Sequence, residues 1–118
     1  MGNVRTFEDL ECWKKGTELR RKIALTIKSY PVHERYELVS QMRRASRSVT
    51  HNIAEGYGRY HYKENAQFCR TSRGSVYELL DQIIVSLDEK YINQEKYEEL
   101  RLLIFECIRL LTDISIIS

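Results

Sequence analysis

One proline, Pro31, and five glycines in 118 residues leave this chain few places to end a helix. An all-β domain needs turn residues roughly every 8–12 positions. Here the breaks fall at Pro31, in the stretch GYGRYHYKEN at 56–65, and around 91–93. Between them the apolar residues recur at three- and four-residue steps, the period of a helix with one buried face. The spacing predicts four helices over residues 8–30, 34–57, 63–90 and 94–116.

Each segment carries its own stripe. Leu10, Trp13, Gly16, Leu19, Ile23, Ile27 and Tyr30 line the first, with Thr6 placed as its N-cap and Pro31 closing it. The second is QMRRASRSVTHNIAEGY with its lead-in, and Leu38, Met42, Ala45, Val49, Ile53 and Gly56 share its face. Phe68, Ser72, Ser75, Leu79, Ile83 and Leu87 follow in the third. Its Ser72, Gly74 and Ser75 predict a point where another backbone comes close, because glycine inside a helix costs about 1 kcal/mol relative to alanine. Asn93 caps the fourth, whose stripe is Tyr97, Leu100, Ile104, Cys107 or Ile108, Leu111 and Ile114. Helices of this length, joined by short connections, predict one all-α domain over 1–118, an antiparallel up-down-up-down four-helix bundle. The runs Leu79-Leu80, Ile83-Ile84-Val85 and Leu102-Leu103-Ile104-Phe105 are wider than one stripe. A second apolar face on helices three and four predicts a homo-oligomer.

The net charge of +2 conceals a polarised chain. Residues 41–73 hold 7 basic and 2 acidic groups, whereas residues 74–118 hold 4 basic and 9 acidic. Such asymmetry points to a polyanion partner, a head-to-tail subunit contact, or both. Cys12, Cys69 and Cys107 lack any paired spacing and read as reduced core thiols, which with the absence of an apolar leader predicts a cytoplasmic protein. No apolar run reaches the roughly 20 residues of a membrane span.

Chemistry-bearing motifs are sparse. There is no phosphate-binding glycine loop, zinc spacing or nucleophile elbow. His51 and Glu55, with His61 near by, lack the second ligand pair that a bundle metal site uses, so no metal or cofactor is expected. Asn52 and Glu55 border the apolar stripe, where polar groups need partners. They read as a buried polar clamp fixing helix register; a catalytic carboxylate with its orienter is the alternative. In the tip, Tyr57, Tyr60 and Tyr62 alternate with Arg59, His61 and Lys63, the mixture of stacking rings and cations that holds single-stranded nucleic acid. The competing reading has the tyrosines covering the bundle end. Arg43, Arg44 and Arg47, with Arg70 and Arg73 on the next helix, are candidate phosphate contacts. They also suit Glu95, Glu98, Glu99 and Glu106 of a neighbouring subunit.

FEDLECW near the start, the block Gln41, Arg43, Arg44, Ala45, Ser48, Val49, Asn52, Ile53, Ala54, Glu55 and Gly56, and the later Gly74-Ser75 with Glu78-Leu79 resemble a known family. It is that of the bacterial proteins encoded in intervening sequences of 23S ribosomal RNA genes. The resemblance covers nearly the whole chain. It implies a four-helix bundle assembled as a ring, a homopentamer, with no enzymatic activity. Structurally similar relatives are accessory variability proteins of diversity-generating retroelements, which bind a reverse transcriptase and nucleic acid. The resulting expectation is a non-enzymatic oligomer binding RNA or an RNA–DNA hybrid, with a reverse transcriptase as a further partner. The alternative is a structural oligomer or recruitment scaffold without nucleic-acid binding.

Overall fold

The computed structural model describes residues 6–59 and 62–117, without the side chains of residue 62 and residues 114–117. Four α-helices make up the fold: α1 Glu11–Thr26, α2 Leu38–Tyr57, α3 Tyr62–Asp88 and α4 Gln94–Ile117, with no strand among the described residues. Each helix packs on two others in a cycle, α1 on α2, α2 on α3, α3 on α4 and α4 back on α1, with α2–α3 the most extensive seam. This is a four-helix bundle. Among the described residues no helix is long and apolar enough to cross a membrane.

The first two helices are shorter than the periodicity predicts, for local reasons. Thr6 does cap a turn, its Oγ1 accepting from Glu8 N at 3.1 Å, but that turn is a separate 3₁₀ segment, Phe7–Asp9. The α-helix starts at Glu11 behind Leu10, which has no capping side chain. At the far end α1 tightens into a 3₁₀ turn at Ile27–Ser29. Tyr30 then turns extended (ψ 153°), as a residue before proline must. A further turn, Val32–Glu34, precedes α2, and Glu34 Oε1 accepts from Leu38 N at 3.3 Å, satisfying one orphan donor of that helix. Between α3 and α4 the chain reverses at Lys90, which takes a left-handed φ of 63°. Tyr91 N donates to Ser86 O at 2.9 Å and Lys90 N to Leu87 O at 3.0 Å, a Schellman closure with lysine where glycine is usual. Asn93 caps α4, its Oδ1 accepting from Lys96 N at 2.8 Å.

The stripes meet in one core. Leu19 and Ile23 of α1, Met42 and Val49 of α2, Leu79 and Ile83 of α3, and Leu100 and Ile104 of α4 are inaccessible to solvent. A polar thread crosses it: Tyr30 Oη donates to Ser86 Oγ at 2.7 Å, and Ser86 Oγ to Gln82 O at 2.8 Å. Two close approaches set the α2 seams. A Cβ on Gly16 would lie 3.1 Å from Val49 Cγ1, and one on Gly56 would lie 2.8 Å from Phe68 Cβ. Gly74, expected at a crossing, has nothing within 4 Å of such a Cβ. It lies about 200° round α3 from Ser72, so it faces outward while Ser72 and Ser75 make the contact.

On the α1–α4 seam, Lys22 Nζ lies 2.7 Å from Glu99 Oε2, Lys96 Nζ 2.8 Å from Glu99 Oε1, and Lys15 Nζ 3.1 Å from Glu106 Oε2. Hydrogen bonds from Lys22 and then Lys96 hold the Glu99 carboxyl down at about 2, against 4.5 for a free one. A depressed carboxylate stabilises fully above its unfolded value, so this contribution is lost as pH falls from about 4.5 through 2. Glu99 is 40% exposed, so solvent screening limits the effect to under about 1 kcal/mol. Thermal melts over that acid range should show a slope that Glu99→Gln reduces, with little difference between the two proteins near pH 2.

Candidate functional site

The residues singled out on α2 fall on two edges of one helix. Ser48 and Asn52 reach the α3 seam. Ser48 Oγ lies 2.8 Å from Ser75 Oγ, and Asn52 Nδ2 donates to Ser48 O at 2.8 Å and to Ser48 Oγ at 2.9 Å. One turn deeper, Ser72 Oγ donates to Val49 O at 2.7 Å. Hydrogen bonds of this kind favour one register, because sliding either helix by a residue would break the part-buried Ser48–Ser75 pair and leave the buried Ser72 hydroxyl unpaired. Asn52 therefore works through Ser48, and the partner across the seam is Ser75. Their pairing is not visible in a sequence, although serines inside two helices are a signal that something other than helix propensity placed them there.

Glu55 does not join that clamp. Its side chain is 54% exposed, with Oε2 3.7 Å from Arg59 Nη2. Three residues beyond Asn52 the helix has turned about 60° further from the core, so the carboxylate points outward. The expectation of a buried Glu55 is thus corrected.

Above the serines runs a groove of about 520 Å³ on the α2–α3 surface. Arg44, Arg47, His51 and Glu55 stand along its α2 bank and Glu78 on its α3 bank, with Ala45, Ser48, Asn52 and Ser75 below. Arg43, Arg44 and Arg47 are exposed, and none makes an ion pair among the described residues. Successive arginines at positions 43 and 47 are about 6 Å apart along the axis. Exposed guanidiniums at that spacing suit consecutive anionic groups of an extended polyanion.

The remaining candidate cations separate from this face. Arg59 is engaged within the chain, 3.7 Å from Glu55, 3.8 Å from Glu64 and 5.2 Å from the Phe68 ring centroid, so it ties the end of α2 to the start of α3. Arg73 turns to the other side of α3, its Nη1 donating to Thr112 Oγ1 of α4 at 3.4 Å. It is therefore not part of the α2 surface. Arg70 and Lys63 are exposed on α3. Tyr60 and His61 lie outside the described residues, as does the side chain of Tyr62. Of the acids suggested to meet the α2 arginines from another subunit, Glu99 and Glu106 pair with α1 lysines of their own chain, whereas Glu95 and Glu98 make no ion pair among the described residues.

As chemistry, the groove offers charge and hydrogen bonding without an activated nucleophile. Ser48 and Ser75 bond to each other. The three cysteines are buried elsewhere, and burial pushes Cys12 up to about 11 and Cys107 to about 12, so both are protonated thiols at neutral pH.

Residues 8–113 match the family described as 23S rRNA-intervening sequence protein. The chain belongs to that family. A comparison with curated proteins found no match. The match contains the four stripes except for Ile114, together with the α2 arginines and the Ser48–Ser75 link, so the core, the clamp and the basic face lie within the family unit.

Proposed function

We propose that this 23S rRNA-intervening sequence protein is a non-enzymatic oligomer that holds RNA or an RNA–DNA hybrid on the outer face of α2. One observation carries the reading: Arg43, Arg44 and Arg47 form an exposed row without ion pairs among the described residues, whereas Lys15 and Lys22 are paired. Such a row binds phosphates without reading bases.

Binding of a structured RNA and of an RNA–DNA hybrid across a salt series tests it. Affinity should fall steeply with salt, and Arg44→Glu with Arg47→Glu should weaken it more than tenfold and flatten the log–log slope by about 2. Both side chains are exposed, so the variant should keep its helicity. Absence of binding by the wild type at low salt would sink the proposal.

A second reading, an oligomeric scaffold, is favoured by a different observation. Tyr77, Ile84 and Val85 of α3 and Leu102 and Phe105 of α4 are 37–66% exposed. An apolar face of this extent on a single chain suits a contact with another copy. The reading of an RNA-binding oligomer extends to an antiparallel bundle closed into a ring of five with a reverse transcriptase as protein partner. Light scattering on Arg43→Glu with Arg47→Glu separates the two readings. Loss of the assembly favours the scaffold; an intact assembly that no longer binds nucleic acid favours the first.

A further inference from the structure

The surface at the α1–α2 corner is chemically unlike the rest. A groove of about 580 Å³ opens between the end of α1, Pro31 and the first turns of α2. Its floor is apolar, made by Ile27, Tyr30 and Val39, all buried. On its rim stand Val32, 79% exposed, and Tyr36, 85% exposed, the two most exposed large hydrophobic residues described. Around them are Lys28, Arg35 and Arg43, three cations with no ion pair among the described residues. Two acids lie close in sequence, Glu37, which is exposed but does not line the groove, and Glu34, which is turned away. It accepts from Tyr91 Oη at 2.7 Å and from Leu38 N at 3.3 Å, and it is not part of the groove wall.

A ring this exposed gains nothing for the fold, and three unpaired cations beside it repel one another. The combination has a ligand-binding logic: a flat π-face for a base and cations for the phosphates on either side of it. The volume lies within the range of small-ligand sites, which is ample for one nucleotide. Arg43 lines this groove and stands one helical turn from Arg47, which with Arg44 lines the α2–α3 groove, so a strand leaving Arg43 along α2 meets them next.

We infer that this groove seats one nucleotide of a single-stranded nucleic acid, its base stacked on Tyr36 and its flanking phosphates held by Lys28, Arg35 and Arg43. This rests on the nucleic-acid reading of the α2 face and adds a preference for unpaired nucleotides. A duplex keeps its bases stacked inside and cannot offer one to Tyr36.

The test is fluorescence anisotropy with a labelled 12-residue oligouridylate and an abasic phosphodiester strand of the same length. Tyr36→Ala should weaken oligouridylate binding about tenfold and leave the abasic strand unchanged, while Tyr36→Phe should behave as wild type. Lys28→Glu with Arg35→Glu should weaken both strands and flatten the salt slope by about 1.4, twice the single-strand value per phosphate. If Arg44→Glu with Arg47→Glu loses oligouridylate but Tyr36→Ala does not, the groove assignment falls and the α2 reading stands. If the wild type binds neither strand nor any hybrid, both fall. Should polyglutamate bind in a Tyr36-dependent way while oligouridylate does not, the groove is a site for acidic peptide and the inference is overturned.

Discussion

Ile83→Ala is expected to destabilise the bundle by about 2–5 kcal/mol, measured by urea unfolding. Ile83 is wholly inaccessible in the α3 stripe and belongs to the one core that all four helices share. Truncation removes three methyl or methylene carbons there and leaves a cavity that close-packed neighbours cannot fill. A domain of this size has a total stability of about 5–15 kcal/mol, so the loss is a large share of it. The control is the next residue. Ile84 is 38% exposed, and Ile84→Ala should cost under about 1 kcal/mol in the isolated chain. The pair also reports on assembly. If Ile84→Ala lowers the melting temperature only at high protein concentration, the outer face of α3 is covered by another copy. Equal costs for the two substitutions at low concentration would contradict the packing described.

Gly56→Ala is expected to destabilise by about 1–2 kcal/mol, although alanine is the better helix former. A Cβ there would sit 2.8 Å from Phe68 Cβ and 2.9 Å from Asn65 Oδ1. The Phe68 Cβ is anchored to the α3 backbone and cannot swing aside, so the helices must separate where α2 hands over to α3. Gly74→Ala should do the opposite, stabilising by about 1 kcal/mol, because it gains helix propensity in open space. Opposite signs for two glycine-to-alanine changes in helices is a demanding outcome for chemical denaturation to check. Two stabilising results would mean that α2 and α3 are not in close contact at Gly56.

Those two comparisons show where sequence reasoning reaches its limit. Ile83, Ile84 and Val85 are alike as residue types, and only rotation about α3 separates the buried first from the exposed other two. Gly56 and Gly74 both lie in helices, yet only one has a neighbour within reach. Among the polar residues, Asn52 and Glu55 looked equivalent beside the stripe; three residues of helical turn put one on the α3 seam and the other beside Arg59. Arg44, Arg47 and Arg73 have the same side chain, but Arg73 points to α4. Tyr36, Lys28 and Arg35 are scattered in sequence across a corner whose course depends on how α1 ends, so their meeting is not legible in the chain.

By itself the sequence determined the four helices, their stripes and the polarised charge, because each follows from local periodicity and the scarcity of chain breakers. The family membership was legible too, since its most specific block is contiguous in α2. Only the tertiary structure decided which cations are already paired, which glycine is a crossing, and which serines lock the α2–α3 seam. Those depend on the facing helix, and a helix repeats its face every 3.6 residues without recording what lies opposite. The α1–α2 groove likewise exists only because Pro31 and two 3₁₀ turns bring Lys28, Tyr36 and Arg43 around one apolar floor.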